Sequence, residues 1–297
     1  MTTEKEHVHL LGIGGSGMLP LALLYAESGA NVTGSDAKLD ARKRDILTAK
    51  NISAWHDSDV VTASRFQISA RSKIVASPAI PSFHRDLRSA SRLGIKVQSR
   101  AEALAELLTH RPCVCVGGSH GKSTTTAMLV HILEHANRSN FGYMIGARIP
   151  GKLPARLGDP ETDFVMEACE AHQALNVWQP NIAVLTSLGN DHSPHYGGEI
   201  QLKETFLRFL NRVTSDGSIV VNSQALQTLD VTSTFRNRAL TFGFDLNSRL
   251  RAEPALAQPH VFLDGDLIGK LRLSVPGDHN QLNALAAIGA ALSMGVE

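Results

Sequence analysis

Short apolar runs bounded by glycine, asparagine or serine recur along the first third of the chain, separated by stretches whose apolar positions return every three or four residues. His7–Leu11 predicts a strand, Met18–Ser28 a helix, Asn31–Gly34 a strand and Ala41–Lys50 a helix. Lys73–Ala76, Phe83–Leu93, Ile95–Gln98 and Ala101–Leu108 continue the alternation. Strand–helix repetition with short connections predicts a parallel sheet covered on both faces. The segment "THRPCV" restarts the pattern, with a strand at Cys113–Val116 and a helix beginning near Lys122. That places a boundary near Thr109 and divides the chain into domains 1–109 and 110–297. Further strands are expected at Phe164–Ala168, Ile182–Thr186 and Ser218–Asn222, with a helix around Leu202–Val213. After about residue 239 the pattern changes to "VFLDGDLIGKLRLSV", two alternating strands around Asp264-Gly265, which predicts an antiparallel hairpin. An alanine- and leucine-rich helix, Asn280–Ser293, closes the chain.

Composition narrows the class without changing this outline. A chain of 297 residues with 43% apolar content suits two full cores. No stretch approaches the roughly 20 apolar residues that cross a membrane, so no membrane partner is expected. The N-terminus runs from charged residues straight into a strand and predicts no signal peptide. Three cysteines form no disulfide framework; Cys113 and Cys115 alternate within a strand and read as small buried hydrophobes, which points to a cytoplasmic setting. A net charge of +1, with acids and bases mixed, gives no nucleic-acid footprint. Single arginines such as Arg42, Arg44 and Arg71 read most simply as solvated surface.

The candidate chemistry sits where strands hand over to helices. Gly117, Gly118, Ser119, His120 and Gly121 separate the Cys113–Val116 strand from the next helix. Such a turn wraps a phosphate with backbone N–H groups while the helix N-terminus faces the anion. Lys122 supplies a charge for the outer phosphates and Ser123 a hydroxyl for Mg²⁺. The strict G-x-x-x-x-G-K-[ST] pattern is not met, because Val116 stands where its first glycine belongs. A glycine-rich turn carrying one exposed lysine is the simpler alternative, and the surrounding pattern favours a nucleoside triphosphate. Gly12-x-Gly14-x-x-Gly17 follows the first strand in the same way, and Asp36 ends the second strand where a dinucleotide fold keeps its ribose-binding acid. Alone, that fingerprint also reads as NAD or FAD, and it indicates a pyrophosphate more firmly than a nicotinamide. Glu167 and the Asp191-His192 pair lie just past strand ends, on the edge where open α/β sheets bind ligands. A hydroxyl, a carboxylate and an imidazole there can hold Mg²⁺ against phosphate oxygens. His172 and His195 read as polar loop residues rather than zinc ligands. Asn280 either caps the last helix or reads an adenine edge. The fold class is therefore α/β: a Rossmann-like parallel-sheet domain, then a P-loop α/β domain with a small antiparallel hairpin.

The stretches "GIGGSGM", "GSD", "SPAIP", "RAEALAEL", "GGSHGKSTTTAM", "NDH" and "PGDHNQLNALAA" resemble, in this order, signatures of the Mur ligases. These enzymes add amino acids or peptides to UDP-N-acetylmuramic acid in peptidoglycan synthesis. The likeness covers nearly the whole chain and is nearest to the members that ligate L-alanine or recycled murein tripeptide. It implies an ATP- and Mg²⁺-dependent ligase that joins a UDP-N-acetylmuramate-like carboxylate to an amino acid or peptide through an acyl phosphate. It further implies that Gly118, Ser119, His120, Gly121, Lys122, Ser123 and Thr124 bind ATP, helped by Asn280 and Asn283. Ser123, Glu167 and His192 would hold metal, with Lys122, Glu167 and His192 the catalytic set. The UDP-sugar would lie on Gly12, Gly14, Gly15, Ser16, Gly17 and Met18, with Asp36, Ser77, Ala79 and Ile80. The chain departs from the family at Cys169, Ala171 and His172, and again at Ser187 and Gly189, so acids and an amide of the family pattern are missing beside the metal site. The family continues into a third α/β domain past the position of Glu297. The resemblance therefore implies either a piece of a longer polypeptide or a two-domain relative served by a third domain in trans. A catalytically silent nucleotide-binding protein and an NAD-dependent oxidoreductase are the alternatives from other classes.

Overall fold

The computed structural model describes residues 5–57, 72–168, 175, 177–189, 198–229, 231, 238–253 and 258–297. They group into two compact units, one of residues 1–110 with 144–157 and one of residues 111–143 with 158–297.

The first unit is a parallel sheet flanked by helices. Its strands are β1 (His7–Leu11), β2 (Asn31–Asp36), β3 (Ser53–His56), β4 (Lys73–Ala76) and β5 (Val97–Ser99), in the order β3-β2-β1-β4-β5. Helices α1 (Met18–Glu27), α2 (Ala41–Ala49) and α3 (Arg85–Arg92) make crossovers, and α4 (Arg100–Leu107) follows β5. Strand order reverses between β1 and β4, which opens a crevice at their carboxyl ends and aims the β1–α1 glycine turn into it. Side chains start the flanking helices cleanly. Asp40 accepts the Lys43 N–H at 2.8 Å to cap α2, while Ser99 and Glu102 form a reciprocal capping box on α4. β3, with Trp55 facing the core, went unread in the sequence because it alternates for only four residues.

One polar element lies under this sheet. His9 is fully buried; its Nδ1 meets Thr33 Oγ1 at 2.9 Å and its ring stacks on Trp55 at 5.3 Å. Burial holds its pKa down at about 3, with the neighbouring His7 and His84 adding to the effect. Asp86 on α3 lies 4.0 Å away, and burial raises its pKa. His9 is therefore neutral at ordinary pH, and the contact is no ion pair.

The second unit is built on β6 (Cys113–Gly117), β7 (Gly142–Met144), β9 (Phe164–Glu167), β10 (Ile182–Leu185), β11 (Ser218–Asn222), β12 (Ala239–Gly243), β13 (Leu250–Ala252), β14 (His260–Leu263) and β15 (Asp266–Lys270). They run in the order β15-β14-β13-β12-β11-β10-β6-β9-β7. β9, β6, β10, β11, β12 and β13 pair in parallel, whereas β14 and β15 are antiparallel. The hairpin expected around Asp264-Gly265 is present, with both residues at positive φ (50° and 98°) as a two-residue primed turn requires. It is not a separate element, because β12 and β13 carry the parallel sheet out to it. Helix α5 (Lys122–His135) follows β6, α6 (Glu199–Asn211) precedes β11, α7 (Ser223–Thr228) follows it, and α8 (Asp278–Ser293) packs along α5. Cys113 and Cys115 are buried in β6, and desolvation raises the Cys113 thiol to about 12 and that of Cys115 as well, so they serve as hydrophobes.

β8 (Ala155–Arg156) lies in the 144–157 segment and packs on α1 in the first unit, where Leu157 N–H donates to Glu27 Oε2 at 2.7 Å.

Candidate functional site

Two strand–glycine–helix turns carry the polar chemistry, one in each unit. In the second unit β6 ends at Gly117, and Gly118 and Gly121 adopt φ values of 138° and 84°. Both positions demand glycine. A Cβ on Gly118 would run into the Thr186 hydroxyl, and one on Gly121 into the Asn283 side-chain oxygen. The loop is stitched to the end of β10: Ser119 N–H donates to the Ser187 carbonyl at 3.1 Å, and His120 N–H to Ser187 Oγ at 2.9 Å. Thr186 Oγ1 donates to the His120 carbonyl, and Gly189 N–H donates to Ser119 Oγ at 2.9 Å. These bonds leave the first turn of α5, including Ser123 and Thr124, with N–H groups that no helical carbonyl can satisfy.

Lys122 folds over this loop, donating to the Gly118 carbonyl at 2.6 Å and to that of Ser119 at 3.4 Å. Ser123 Oγ donates to Glu167 Oε2 at 2.9 Å, joining the start of α5 to the end of β9. A hydroxyl touching a carboxylate at the mouth of a phosphate loop is a donor set suited to Mg²⁺, whose ligands are hard oxygens. Lys122, Ser123 and Glu167 are thus together as the sequence reading requires. His192, Cys169, Glu170, His172, Asp191 and His195 lie outside the described residues. Among the described residues, no group of three or more histidines, cysteines, aspartates or glutamates forms a metal-binding cluster.

Asn283 is buried on α8; its side-chain oxygen faces Gly121, and Thr125 Oγ1 lies 3.4 Å from it. One turn earlier, the Asn280 amide donates to the Pro276 carbonyl at 2.7 Å, while Gly277 occupies the helix cap. The capping alternative for Asn280 is therefore not what the structure contains.

In the first unit the glycine turn works almost wholly through the backbone. Gly14 N–H donates to Asp36 Oδ2 at 2.8 Å, and Lys38 N–H to Asp36 Oδ1 at 2.7 Å, so Asp36 braces the loop from the end of β2. Gly12 takes φ 78° and donates to the Ser35 carbonyl at 2.8 Å. Ser77 donates its N–H to the Leu11 carbonyl, and its hydroxyl and carbonyl accept from Ala79 and Ile80, so the "SPAIP" turn stands beside Gly12. α1 opens at Gly17 with no side-chain cap and no acid in its first turn, and Met18 is buried. A cavity of about 230 Å³ borders Gly14, Gly15 and Ser16 and is also lined by Arg42, Lys43, Arg148 and Lys152. Sequence reasoning left Arg42 as plain surface and passed over Arg148 and Lys152. Their signal was lost because they come from distant segments.

The fold and these two turns define a protein with two α/β units, each with a glycine turn between a strand and a helix, one braced through its backbone, the other a P-loop variant with a hydroxyl–carboxylate pair. The chain belongs to the Mur ligase family: residues 116–291 match the Mur ligase middle domain, and residues 7–112 match the Mur ligase family, catalytic domain. It is similar to UDP-N-acetylmuramate–L-alanine ligase of Solidesulfovibrio magneticus, 33% identical over 305 residues, which cover 100% of this chain and 64% of that protein. A relative of the same name from Kineococcus radiotolerans is 33% identical over 98% of this chain and 62% of its own length. Among solved structures, the UDP-N-acetylmuramate:L-alanyl-gamma-D-glutamyl-meso-diaminopimelate ligase of Neisseria meningitides matches with a TM-score of 0.87 and 30% identity, covering 99% of this chain and 95% of that one. The chain thus spans a little under two thirds of the length of the curated relatives. No helix among the described residues is long and apolar enough to cross a membrane.

Proposed function

We propose that this protein is an ATP-dependent carboxylate–amine ligase acting on a UDP-N-acetylmuramate-like substrate in the cytoplasm, as part of peptidoglycan synthesis. Residues 1–109, joined by the 144–157 segment, would form the UDP-sugar domain and the rest of 110–297 the ATP domain. The observation that carries the reading is the contact between Ser123 Oγ and Glu167 Oε2 beside Lys122, on the same chain as a second, diphosphate-type glycine loop. An NAD-dependent oxidoreductase has no use for that pair. Bound ATP-Mg²⁺ would supply an activated phosphoryl group, converting the substrate carboxylate to an acyl phosphate with release of ADP; an amine would then attack the acyl carbon and expel inorganic phosphate to form the amide.

The chain's own residues bind and orient. Lys122 trades its loop carbonyls for phosphate oxygens, a charge-assisted contact stronger than the one it leaves. Ser123 and Glu167, with His192, offer oxygen and nitrogen ligands to Mg²⁺. Thr186 and Ser187 hold the His120 backbone still, so the cradle is formed before the nucleotide arrives. Asn280 and Asn283 would contact the nucleoside. Gly12 to Met18, with Asp36, Ser77, Ala79 and Ile80, receive the UDP-sugar. The relatives' greater length supports a further domain, in cis or in trans, that closes over the amine.

The Neisseria meningitides relative, of which the chain covers 95%, favours a second reading of the amine as a murein tripeptide. Assaying ADP release with UDP-N-acetylmuramate and either L-alanine or the tripeptide, with mass spectrometry of the uridine product, tests both. ADP formation that ignores UDP-N-acetylmuramate overturns the ligase reading. Product from one amine alone decides between the two amines.

A further inference from the structure

Helix α5 carries Lys122 and Ser123 at its start and two histidines, His131 and His135, towards its end. A spacing of four residues is about one helical turn, so the two side chains stand on one face, one above the other. Both are exposed, whereas Leu129, Val130 and Leu133 of the same helix turn into the core. Their ring centres lie 4.1 Å apart with the planes tilted by 47°. Among the described residues, no other two histidines are spaced by one helical turn.

The backbone sets the tautomer of one ring. His135 Nδ1 donates to the His131 carbonyl at 2.9 Å, so Nδ1 carries the ring hydrogen and Nε2 keeps its lone pair. Metal-bound histidines are held in this way, because the hydrogen bond orients the ring and makes the other nitrogen more basic. The helix adds to the effect. His135 lies in the last turn of α5, where carbonyls without helical partners form the negative end of the dipole and favour a cation. The nearby cation Arg138 is turned elsewhere, donating to the Met294 and Gly295 carbonyls.

We propose that His131 and His135 form a two-nitrogen site for a transition-metal dication of the Zn²⁺, Ni²⁺ or Cu²⁺ class, at the end of α5 opposite the phosphate loop. Imidazole suits these ions, whereas Mg²⁺ suits hard oxygens such as those of Ser123 and Glu167. Two imidazoles bound to one ion at about 2.1 Å hold their ring centres roughly 4.5–5.5 Å apart, so the pair need open only slightly. Among the described residues no third histidine, cysteine or carboxylate joins them, which leaves the other coordination positions to water or to a ligand from another molecule. The bound ion would staple the last turn of the helix that carries Lys122.

The test is calorimetric titration of the whole chain with Zn²⁺ and with Ni²⁺, in excess Mg²⁺ to occupy the oxygen site. His131→Ala and His135→Ala should each lose one equivalent of bound metal, or bind it at least about 10-fold more weakly. Removing only an outer partner of a metal ligand already costs that much. Alanine suits a helix better than histidine, so both variants should melt no lower than the parent, and their loss is a loss of ligand. Equal stoichiometry and affinity in the parent and both variants overturns the proposal. Metal lost with one substitution and kept with the other also overturns it, since that describes a single-histidine site. Failure of the parent to bind either ion in excess Mg²⁺ overturns the assigned class of ion.

Discussion

The two glycine loops begin alike and diverge in where their charge comes from. At Gly12–Gly17 the loop's own side chains carry no charge, and the neighbouring acid, Asp36, is occupied in bracing the backbone. At Gly117–Ser123 the loop carries its own lysine and hydroxyl, and past β10 Thr186 and Ser187 tie its backbone down while Gly189 holds the Ser119 side chain. A backbone cradle suits a diphosphate that is held and not broken. A loop with a mobile charge and a metal-binding pair suits a phosphate that is transferred, because the charge developing there must be met by groups already in place.

Lys122→Ala breaks this contrast most directly by making the second loop resemble the first. ATP-Mg²⁺ affinity should fall by about 100-fold or more, with folding unaffected, since the charge-assisted contact is lost from a partly exposed loop. Calorimetry beside thermal melting checks both halves. Gly121→Ala attacks the backbone instead. A side chain at φ 84° that collides with Asn283 should cost about 1–3 kcal/mol of stability and reduce ATP binding as well, measured by urea unfolding and the same titration.

Glu167→Gln keeps the shape of the hydroxyl–carboxylate pair but removes its charge. Mg²⁺ dependence of ADP formation should shift to roughly 10-fold higher metal, while metal-free nucleotide binding holds. His9 probes the other loop's scaffold through pH. Its folded pKa of about 3 lies below the unfolded value of 6.5, so the unfolded chain binds more protons between those limits. The contribution of neutral His9 is complete above pH 6.5 and is lost as pH falls toward 3, by at most about 1.4 kcal/mol per pH unit. Urea unfolding of wild type and His9→Asn across that window should show a shallower pH slope in the variant. Ser187→Ala should have the smallest effect. Losing one hydroxyl that accepts the His120 N–H should cost about 1 kcal/mol and raise the KM for ATP a few-fold, read from steady-state ADP release.

The sequence by itself determined the alternation of strands and helices, both glycine turns and the closing helix. Each of these is a local pattern: a period of apolar residues, a glycine where no Cβ fits, a lysine and hydroxyl at a helix start. His7–Leu11, Lys73–Ala76 and Ser218–Asn222 are strands to the residue. Ser123 and Glu167 were nameable for the same reason, since strand ends and helix starts converge on one edge of any parallel sheet. Tertiary structure alone decided the rest. β12 is a strand because it pairs with β11, and β13 because it pairs with β12 and β14, although the sequence pattern predicted neither. Arg148 and Lys152 line the cavity beside Gly14 because the 144–157 segment belongs with the first unit, and Arg100 meets Gly17 because β5 lies next to β4. Asn280 turns back on Pro276, since its amide finds a carbonyl one turn away. A charge's partner depends on which distant segment the fold brings within a few ångströms, and no local period records that.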